Sequence, residues 1–410
     1  MWGTFNPQST TCGLPLDNFM SEAFQRPTEV AVVGAGIAGC TIAWELARRG
    51  VRVTLLERDA IAFHASGRNM GLLLNQTEPG VVQIMQRSIA IYRELEGGPV
   101  QFALRSQRQM LVAANEAQLL VTRGRADELR RIGVLAHEVL IAELLRDCPQ
   151  LNPELAGAYV VENAWALDPW AATAAFAEAA REAGADVRTG VRASQVKIES
   201  GQVVGLVTDD GILAADAVVL ASGPWLAELW RHAPVGSGRG WVLRTGRLPF
   251  PLPWILEEMT WPDQDELGRG ARSPRLSEVA AGYDRPVAEA MALAPMPEGD
   301  ALLGTSLSPS LRDTFEGVDM PRRIAARALA AAPGMGDLQI TAGWFGVRPM
   351  TPDGMPIAGG AGPGADGLFL HGGHGSIGMM SAPATARWLA EEILRGRPPD
   401  ELRQFRPDRF

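Results

Sequence analysis

One stretch, residues 28–59, restricts the fold more than any other part of this 410-residue chain. It opens with Val30-Ala31-Val32-Val33, an apolar run without polar alternation, which suits a parallel strand buried on both faces. Gly34-Ala35-Gly36-Ile37-Ala38-Gly39 follows directly. A helix is expected from there to about Arg49, with Ile37, Ala43, Trp44 and Ala47 on one face and Gly50 closing it. Val51 to Leu56 read as a second strand, and Glu57 stands at its end, eighteen residues after Gly39. Each piece has a physical job. Gly34 permits a tight turn, Gly36 lets the backbone approach a pyrophosphate, and Gly39 lets the helix pack closely on the sheet. The helix N-terminus stabilises phosphate charge, and the Glu57 carboxylate can accept hydrogen bonds from both ribose hydroxyls. A glycine-rich turn that binds nothing needs none of the other pieces, so the assembly reads as a dinucleotide site.

The rest of the composition narrows the class. Hydrophobic residues make up 46% and charged residues 21%, ordinary for a globular chain large enough for two domains. No apolar run reaches the roughly eighteen residues that suggest a membrane span. Residues 1–27 lack a basic start and an apolar centre, so they read as an N-terminal arm and not as a signal peptide. Cys12, Cys40 and Cys148 lie far apart without metal-ligand spacing, which suits a reducing cytoplasm and no metal. A net charge of −9 argues against nucleic acid as a partner. Of 38 basic residues only Lys197 is a lysine, so a cationic role elsewhere falls to arginine or histidine.

Beyond Glu57 a small-residue loop, Phe63 to Gly71, leads to a helix near Gly80 to Leu95. Helical patterns dominate to about Asn152, with a strand-like Gln109 to Ala113. Asp168-Pro169 should open a helix as cap and first turn. A strand at Asp186 to Arg188, a hairpin about Ser200-Gly201 and a buried strand at Ala217 to Leu220 bring the chain back to the nucleotide sheet. Residues 235–341 carry short strands rich in Pro and Trp, then a helix near Arg322 to Ala331. The strand Leu368 to His371 and a closing helix over Pro383 to Leu394 complete the return.

Four separated motifs together resemble one family. They are Gly34–Gly39 with Glu57, the loop Ala65-Ser66-Gly67-Arg68-Asn69, Gly346-Val347-Arg348-Pro349 with Thr351-Pro352-Asp353-Gly354, and Gly373-His374-Gly375 running into Ala382-Pro383-Ala384-Thr385. This set is similar to the D-amino-acid oxidase superfamily of FAD enzymes, in the branch of glycine oxidase, sarcosine oxidase and D-amino-acid dehydrogenases. The resemblance implies an α/β fold with a Rossmann-like FAD-binding domain and an inserted antiparallel-sheet substrate domain. The FAD-binding domain is expected in segments 28–75, 155–234 and 342–410, and the substrate domain in 76–154 and 235–341.

It also implies roles. Ile37 and Ala38 meet the pyrophosphate, Glu57-Arg58 the adenosine ribose, and Ala193 the adenine. The loop of His64, Ala65, Ser66, Arg68, Asn69, Met70 and Gly71 passes along the flavin. Ser222 and Gly223 join the cofactor contacts, and Gly373, His374, Gly375, Ser376, Ile377, Gly378 and Met379 close over the ring. For His374 the backbone is expected to matter more than the imidazole. The implied reaction moves a hydride from the carbon bearing an amine to flavin N5, giving an imine that hydrolyses.

Arg348 is the first candidate for catalysis, because a planar guanidinium matches a substrate carboxylate with two parallel hydrogen bonds. The alternative for Arg348 is a structural ion pair with Asp353. His64 has three readings: a covalent flavin link, a polar neighbour of flavin or substrate, or a structural residue. Non-covalent FAD is the expectation, with the His64 link as its alternative. Trp344 and Ser376 are the remaining substrate-side candidates. Phe345 and the tryptophans at 241, 254 and 261 wall a pocket or fill the core, His137 and His232 read as surface residues, and Glu257-Glu258 as solvated.

The sequence thus points to FAD-dependent oxidation of an amino acid or secondary amine. A 2-hydroxy acid as substrate, or a flavin subunit of a hetero-oligomer, are the alternatives. Sarcosine oxidase uses a lysine to activate oxygen, and Lys197 stands in the wrong segment for that. Electrons are therefore expected to pass to a quinone or partner flavoprotein, with O2 as the other acceptor. A cytoplasmic place, with a peripheral seat at the inner membrane face as the variant, fits this.

Overall fold

The computed structural model describes residues 26–78, 80–258, 288–307, 319–336 and 339–410. Cys12, Trp261 and nearly all of the N-terminal arm lie outside these residues. The strand Glu29–Val33 sits inside a six-stranded sheet ordered Ile357–Gly360, Leu368–Gly372, Ala217–Leu220, Glu29–Val33, Arg52–Glu57, Asp186–Thr189. Every neighbouring pair is parallel except Ile357–Gly360 with Leu368–Gly372. The chain leaves Glu29–Val33 to one side and returns on the other, so the loop at Gly34 occupies the switch point where open α/β sheets bind ligands.

The helix Ile37–Ala47 is buried along its whole length, not on one face alone. It packs between the helices Pro169–Glu182 and Gly378–Arg395 as well as on the sheet. Trp44 meets Phe176 edge-on at 5.5 Å, and Arg387 reaches Glu45 at 2.8 Å. Asp168 caps the helix Pro169–Glu182 by accepting from the Ala171 amide at 2.9 Å, as its sequence predicts. The closing helix starts at Gly378, earlier than the apolar pattern indicates, and carries Pro383 inside it.

The second sheet has nine strands. Its order runs Ile340–Met350, Gly236–Thr245, Ala301–Leu307, Ala288–Pro295, Ile255–Glu258, Arg105–Ala113, Gly157–Ala166, Leu72–Leu73, and Ala136–Val139 also pairs with Gly157–Ala166. One pair, Ile255–Glu258 with Arg105–Ala113, is parallel. Three of these strands come from segments that the sequence assigned to the cofactor side: Leu72–Leu73, Gly157–Ala166 and nearly all of Ile340–Met350. Hydrogen bonding puts all three in the nine-stranded sheet, because each finds its antiparallel partner there. The helices Asp319–Ala331 and Ile141–Asp147 cover one face of this sheet over a core of Leu243, Leu256, Leu293 and Leu303. The opposite face carries Trp344, Gly346 and Arg348 and turns toward the loop at residues 65–70.

Candidate active site

The nucleotide loop is built with no room for side chains. Gly34 has φ +104°, and a Cβ there would lie 2.6 Å from the Ala221 carbonyl oxygen. A Cβ on Gly39 would lie 1.7 Å from the Gly34 carbonyl, so helix and loop touch backbone to backbone. Glu57 accepts from the Ala35 amide at 2.7 Å and from the Asp59 amide at 2.8 Å. Each carboxylate oxygen keeps a further lone pair for a ribose hydroxyl. No side chain caps the helix at Gly36, and the Ile37 amide donates to Ser66 Oγ at 2.9 Å. That hydroxyl stands over the N-terminus where a phosphate charge is best stabilised.

The 64–71 loop joins this end to the nine-stranded sheet. Ala65–Arg68 forms one helical turn, held by Asn69 Nδ2 on the Ala65 and Ser66 carbonyls, both at 2.9 Å. Asn69 Oδ1 then accepts from the Gly71 amide at 2.8 Å. The Trp344 indole donates to the Arg68 carbonyl at 2.9 Å, and Arg68 donates to the Phe345 carbonyl at 3.2 Å. Met70 lies on Gly304, where a Cβ would meet its sulfur at 2.5 Å.

Arg58 and His64 form a second cluster with Trp225. The Arg58 guanidinium stacks 4.1 Å from the indole centre, and the His64 ring packs 4.4 Å from it. His64 Nε2 lies 2.8 Å from Asp59 Oδ2. Beside them Gly223 has φ +58°, and the buried Ser222 hydroxyl has no partner among the described residues. Ala193 is buried and opens the strand Ala193–Glu199.

The carboxy-terminal turn folds over the same region. Gly373 and Gly375 have φ +64° and +50°, and the Gly375 amide donates to the Pro349 carbonyl at 2.8 Å. His374 contributes more than backbone. Ser381 Oγ donates its proton to the Ile377 carbonyl at 2.7 Å, so His374 Nδ1, 3.0 Å from Ser381 Oγ, must be the donor there. Nε2 is then a buried acceptor with no partner among the described residues. Burial and the neighbouring His371 keep this imidazole neutral, well below its ordinary pKa. Ser376 is exposed, while Ile377 and Gly378 are half-buried. Met379 is buried, its carbonyl accepting from the Tyr92 hydroxyl at 2.8 Å.

Arg348 donates from Nη1 to the Ser306 carbonyl at 3.0 Å and from Nη2 to Thr305 Oγ1 at 2.8 Å. Among the described residues it makes no ion pair, and Asp353 pairs with Arg409 at 2.7 Å instead. The ion pair expected as the alternative, Arg348 with Asp353, is not formed. Desolvation lowers its pKa to about 10, still a cation at neutral pH, although the residue keeps some accessible surface. Thr305, Ser306 and Gly240 beneath the guanidinium, and Asp59 against His64, went unread in the sequence. Glycine at every second position in Gly236-Ser237-Gly238-Arg239-Gly240 was the available signal for a bare strand face.

Other expectations are sorted by burial. Trp254 is buried in the core of the opposite face, and Trp241 is partly buried against that same core, so neither walls the site. His137 and His232 are exposed. Glu257-Glu258 is not a solvated pair. Glu258 is buried and bonded to Arg327 at 3.1 Å, and Glu257 accepts from Gln109. Strand alternation sends the two carboxylates to opposite faces of the sheet, Glu257 to the buried Gln109 and Glu258 to the half-buried Arg327.

A glycine loop at a sheet switch point, joined to a large antiparallel sheet whose Arg348 makes no ion pair among the described residues, is the architecture of a nucleotide-cofactor enzyme. The chain belongs to the DAO family of FAD-dependent oxidoreductases, which matches residues 29–392. It is 27% identical to a D-amino acid dehydrogenase of Cereibacter sphaeroides, over 90% of this chain and 92% of that protein. It is 28% identical to a glycine oxidase of Geobacillus kaustophilus, over 92% and 96% respectively. The crystal structure of glycine oxidase from Geobacillus kaustophilus superposes with a TM-score of 0.80 at 25% identity, covering 94% of this chain and all of that one. An L-proline dehydrogenase from P. horikoshii shares the fold, with a TM-score of 0.77 at 21% identity over 94% of this chain and 98% of that one.

FAD is the cofactor of this family, and the residues present fit it. The side-chain-free cradle at Gly34, Gly36 and Gly39 suits a pyrophosphate, and two buried polar atoms, Ser222 Oγ and His374 Nε2, are left for a polar ligand. Among the described residues no group of acidic, histidine or cysteine side chains could hold a metal, and no helix is long and apolar enough to cross a membrane.

Proposed function

We propose that this chain oxidises an amino acid or secondary amine at the carbon bearing the nitrogen. The observation that carries the reading is Arg348: a desolvated guanidinium, held among the described residues by neutral acceptors, on the sheet face that meets the 65–70 loop. An uncompensated cation in that setting attracts an anion strongly, and a carboxylate fits its fork. Bound FAD supplies the two-electron acceptor at N5 for the hydride leaving that carbon, and the resulting imine is hydrolysed by water.

This chain's residues do the rest by binding and orientation. Gly34, Gly36, Ile37, Ala38, Gly39 and Ser66 hold the pyrophosphate. Glu57 takes the ribose, with Arg58 beside it and Ala193 at the adenine. The backbone of 64–71, Ser222, Gly223 and 373–379 surrounds the flavin. Arg348 fixes the carboxylate so that the alpha carbon faces the ring, and Trp344, locked by its bond to Arg68, walls the pocket. Ser376, being exposed, stands at the mouth. FAD binding is non-covalent in this reading.

Lys197 reaches Glu199 at 3.6 Å in the strand Ala193–Glu199, which belongs to a separate three-stranded sheet. That supports electron transfer to a quinone or partner flavoprotein over direct use of O2. A guanidinium also accepts a 2-hydroxy acid, so that substrate class is the competing reading. Anaerobic addition of glycine, sarcosine, proline, both enantiomers of larger amino acids and lactate, followed at the flavin band, tests the proposal. Bleaching by amino acids and not by lactate is expected. Bleaching by lactate alone contradicts it.

A further inference from the structure

The nine-stranded sheet carries a second polar group on the face of Arg348. Ala292 pairs with Gly304 on one side and with Glu257 on the other, and Glu257 pairs onward with Leu111. Residues paired across strands point to the same face. The face is fixed by Gly304, whose absent Cβ is replaced by Met70 from the loop at residues 65–70. Glu257 therefore points to the side of the sheet that carries Arg348. Between them stand Gly304 and Ala292, the two smallest residues, with the Met70 sulfur lying over Gly304.

The Glu257 end of this row is rich in acceptors. Gln109, 1% exposed, donates Nε2 to Glu257, and its own Oε1 has no partner among the described residues. Glu257 Oε2 takes that bond, and among the described residues none donates to Oε1 of the carboxyl. Arg125 stands nearby but donates to the Asn75 carbonyl and Gln76 Oε1. Protein surrounds the Glu257 carboxyl closely enough to raise its pKa, yet the residue keeps accessible surface. Arg348 shows the same combination.

We infer that Glu257 and Gln109 form a specificity end for a substrate whose side chain terminates in a cationic hydrogen-bond donor, an ammonium or guanidinium. The inference rests on the amino-acid reading of the site and deepens it. The Arg348 guanidinium is bonded to Thr305 and Ser306, in the strand Ala301–Leu307, and Ile255–Glu258 is two strands away. Two strand spacings make about 10 Å, a span that a lysine- or arginine-length substrate bridges with its carboxylate on one end. A cation there satisfies both bare acceptors and returns a counter-charge to Glu257. An apolar side chain of the same length leaves them buried and unpaired, which is costly.

The test compares lysine and arginine with norleucine and glycine, in both enantiomers, on the FAD-loaded enzyme, by steady-state dye reduction and anaerobic bleaching. The wild type should favour a basic amino acid over norleucine in kcat/KM by about 10-fold or more. In Glu257→Gln that ratio should collapse toward one, mainly through KM of the basic substrate. Because the ratio is taken within one protein, a partly destabilised variant still reports, and flavin content checks the fold. A wild type that prefers norleucine or glycine overturns the inference and leaves the amino-acid reading standing, as does a ratio unchanged in Glu257→Gln. No bleaching by any amino acid overturns both.

Discussion

Arg348 lies directly over Gly240 on the neighbouring strand, so closely that a Cβ at 240 would come within 2.2 Å of Nη1 and 2.6 Å of the Ser306 carbonyl. The glycine makes the bed for the guanidinium. Gly240→Ala should push Arg348 off Thr305 and Ser306 and raise KM for carboxylate substrates. Overpacking should cost about 1–3 kcal/mol of stability. Thermal melts and steady-state kinetics at full flavin occupancy check this. An unchanged KM would show that Arg348 does not need that seat.

Gly39 is the second backbone contact the site depends on. Alanine there would place a methyl 1.7 Å from the Gly34 carbonyl, and backbone cannot step aside as a side-chain tip can. Gly39→Ala should therefore be recovered without flavin, or not folded. The ratio of the flavin band to protein absorbance reads the outcome, and a variant with a full complement of FAD refutes this account of the cradle.

His64 is held at Nε2 by Asp59 and packed at a tilt against Trp225, a structural setting for the ring. Asp59 in turn is held below its ordinary pKa, chiefly by the hydrogen bond from His64. Acid precipitation of the holoenzyme should leave all yellow colour in the supernatant. Colour that stays with the pellet establishes a covalent bond.

His371 bridges the Ala38 carbonyl and Thr385 at 3.0 and 2.9 Å, tying the last strand of the sheet to the dinucleotide helix. Burial lowers its pKa to about 4. The unfolded chain binds a proton near pH 6.5 that the folded chain refuses until about pH 4, so stability falls as pH drops through that window. The loss amounts to about 3 kcal/mol from this group, and the depressed His374 adds to it in the same direction. Melting temperature measured from pH 7 to pH 4 should fall less steeply in His371→Asn than in the wild type. Parallel slopes would contradict the assignment.

The sequence made the cofactor half of this site legible because its demands are local. A turn, a helix start and an acid at a strand end lie within residues 28–59, and the glycines there have single physical reasons. On the proposed substrate side the sequence offered Arg348, Trp344 and Ser376. What seats Arg348, namely Gly240, Thr305 and Ser306, comes from two other strands, and register across a nine-stranded sheet is not written in any one of them. Glu257 was misread as solvated for the same cause: an acidic pair looks exposed until one knows which face each member takes. His374 differed in another way, since its tautomer follows from where Ser381 sends its proton, a fact of geometry alone.

The most direct test of the account is Arg348→Met, compared with the wild type under anaerobic conditions with the best amino-acid substrate. KM should rise on the order of 100-fold, about 3 kcal/mol, while the flavin spectrum and FAD content stay those of the wild type. A KM within error of the wild-type value, with flavin in place, would contradict the claim that this guanidinium holds the substrate's carboxylate.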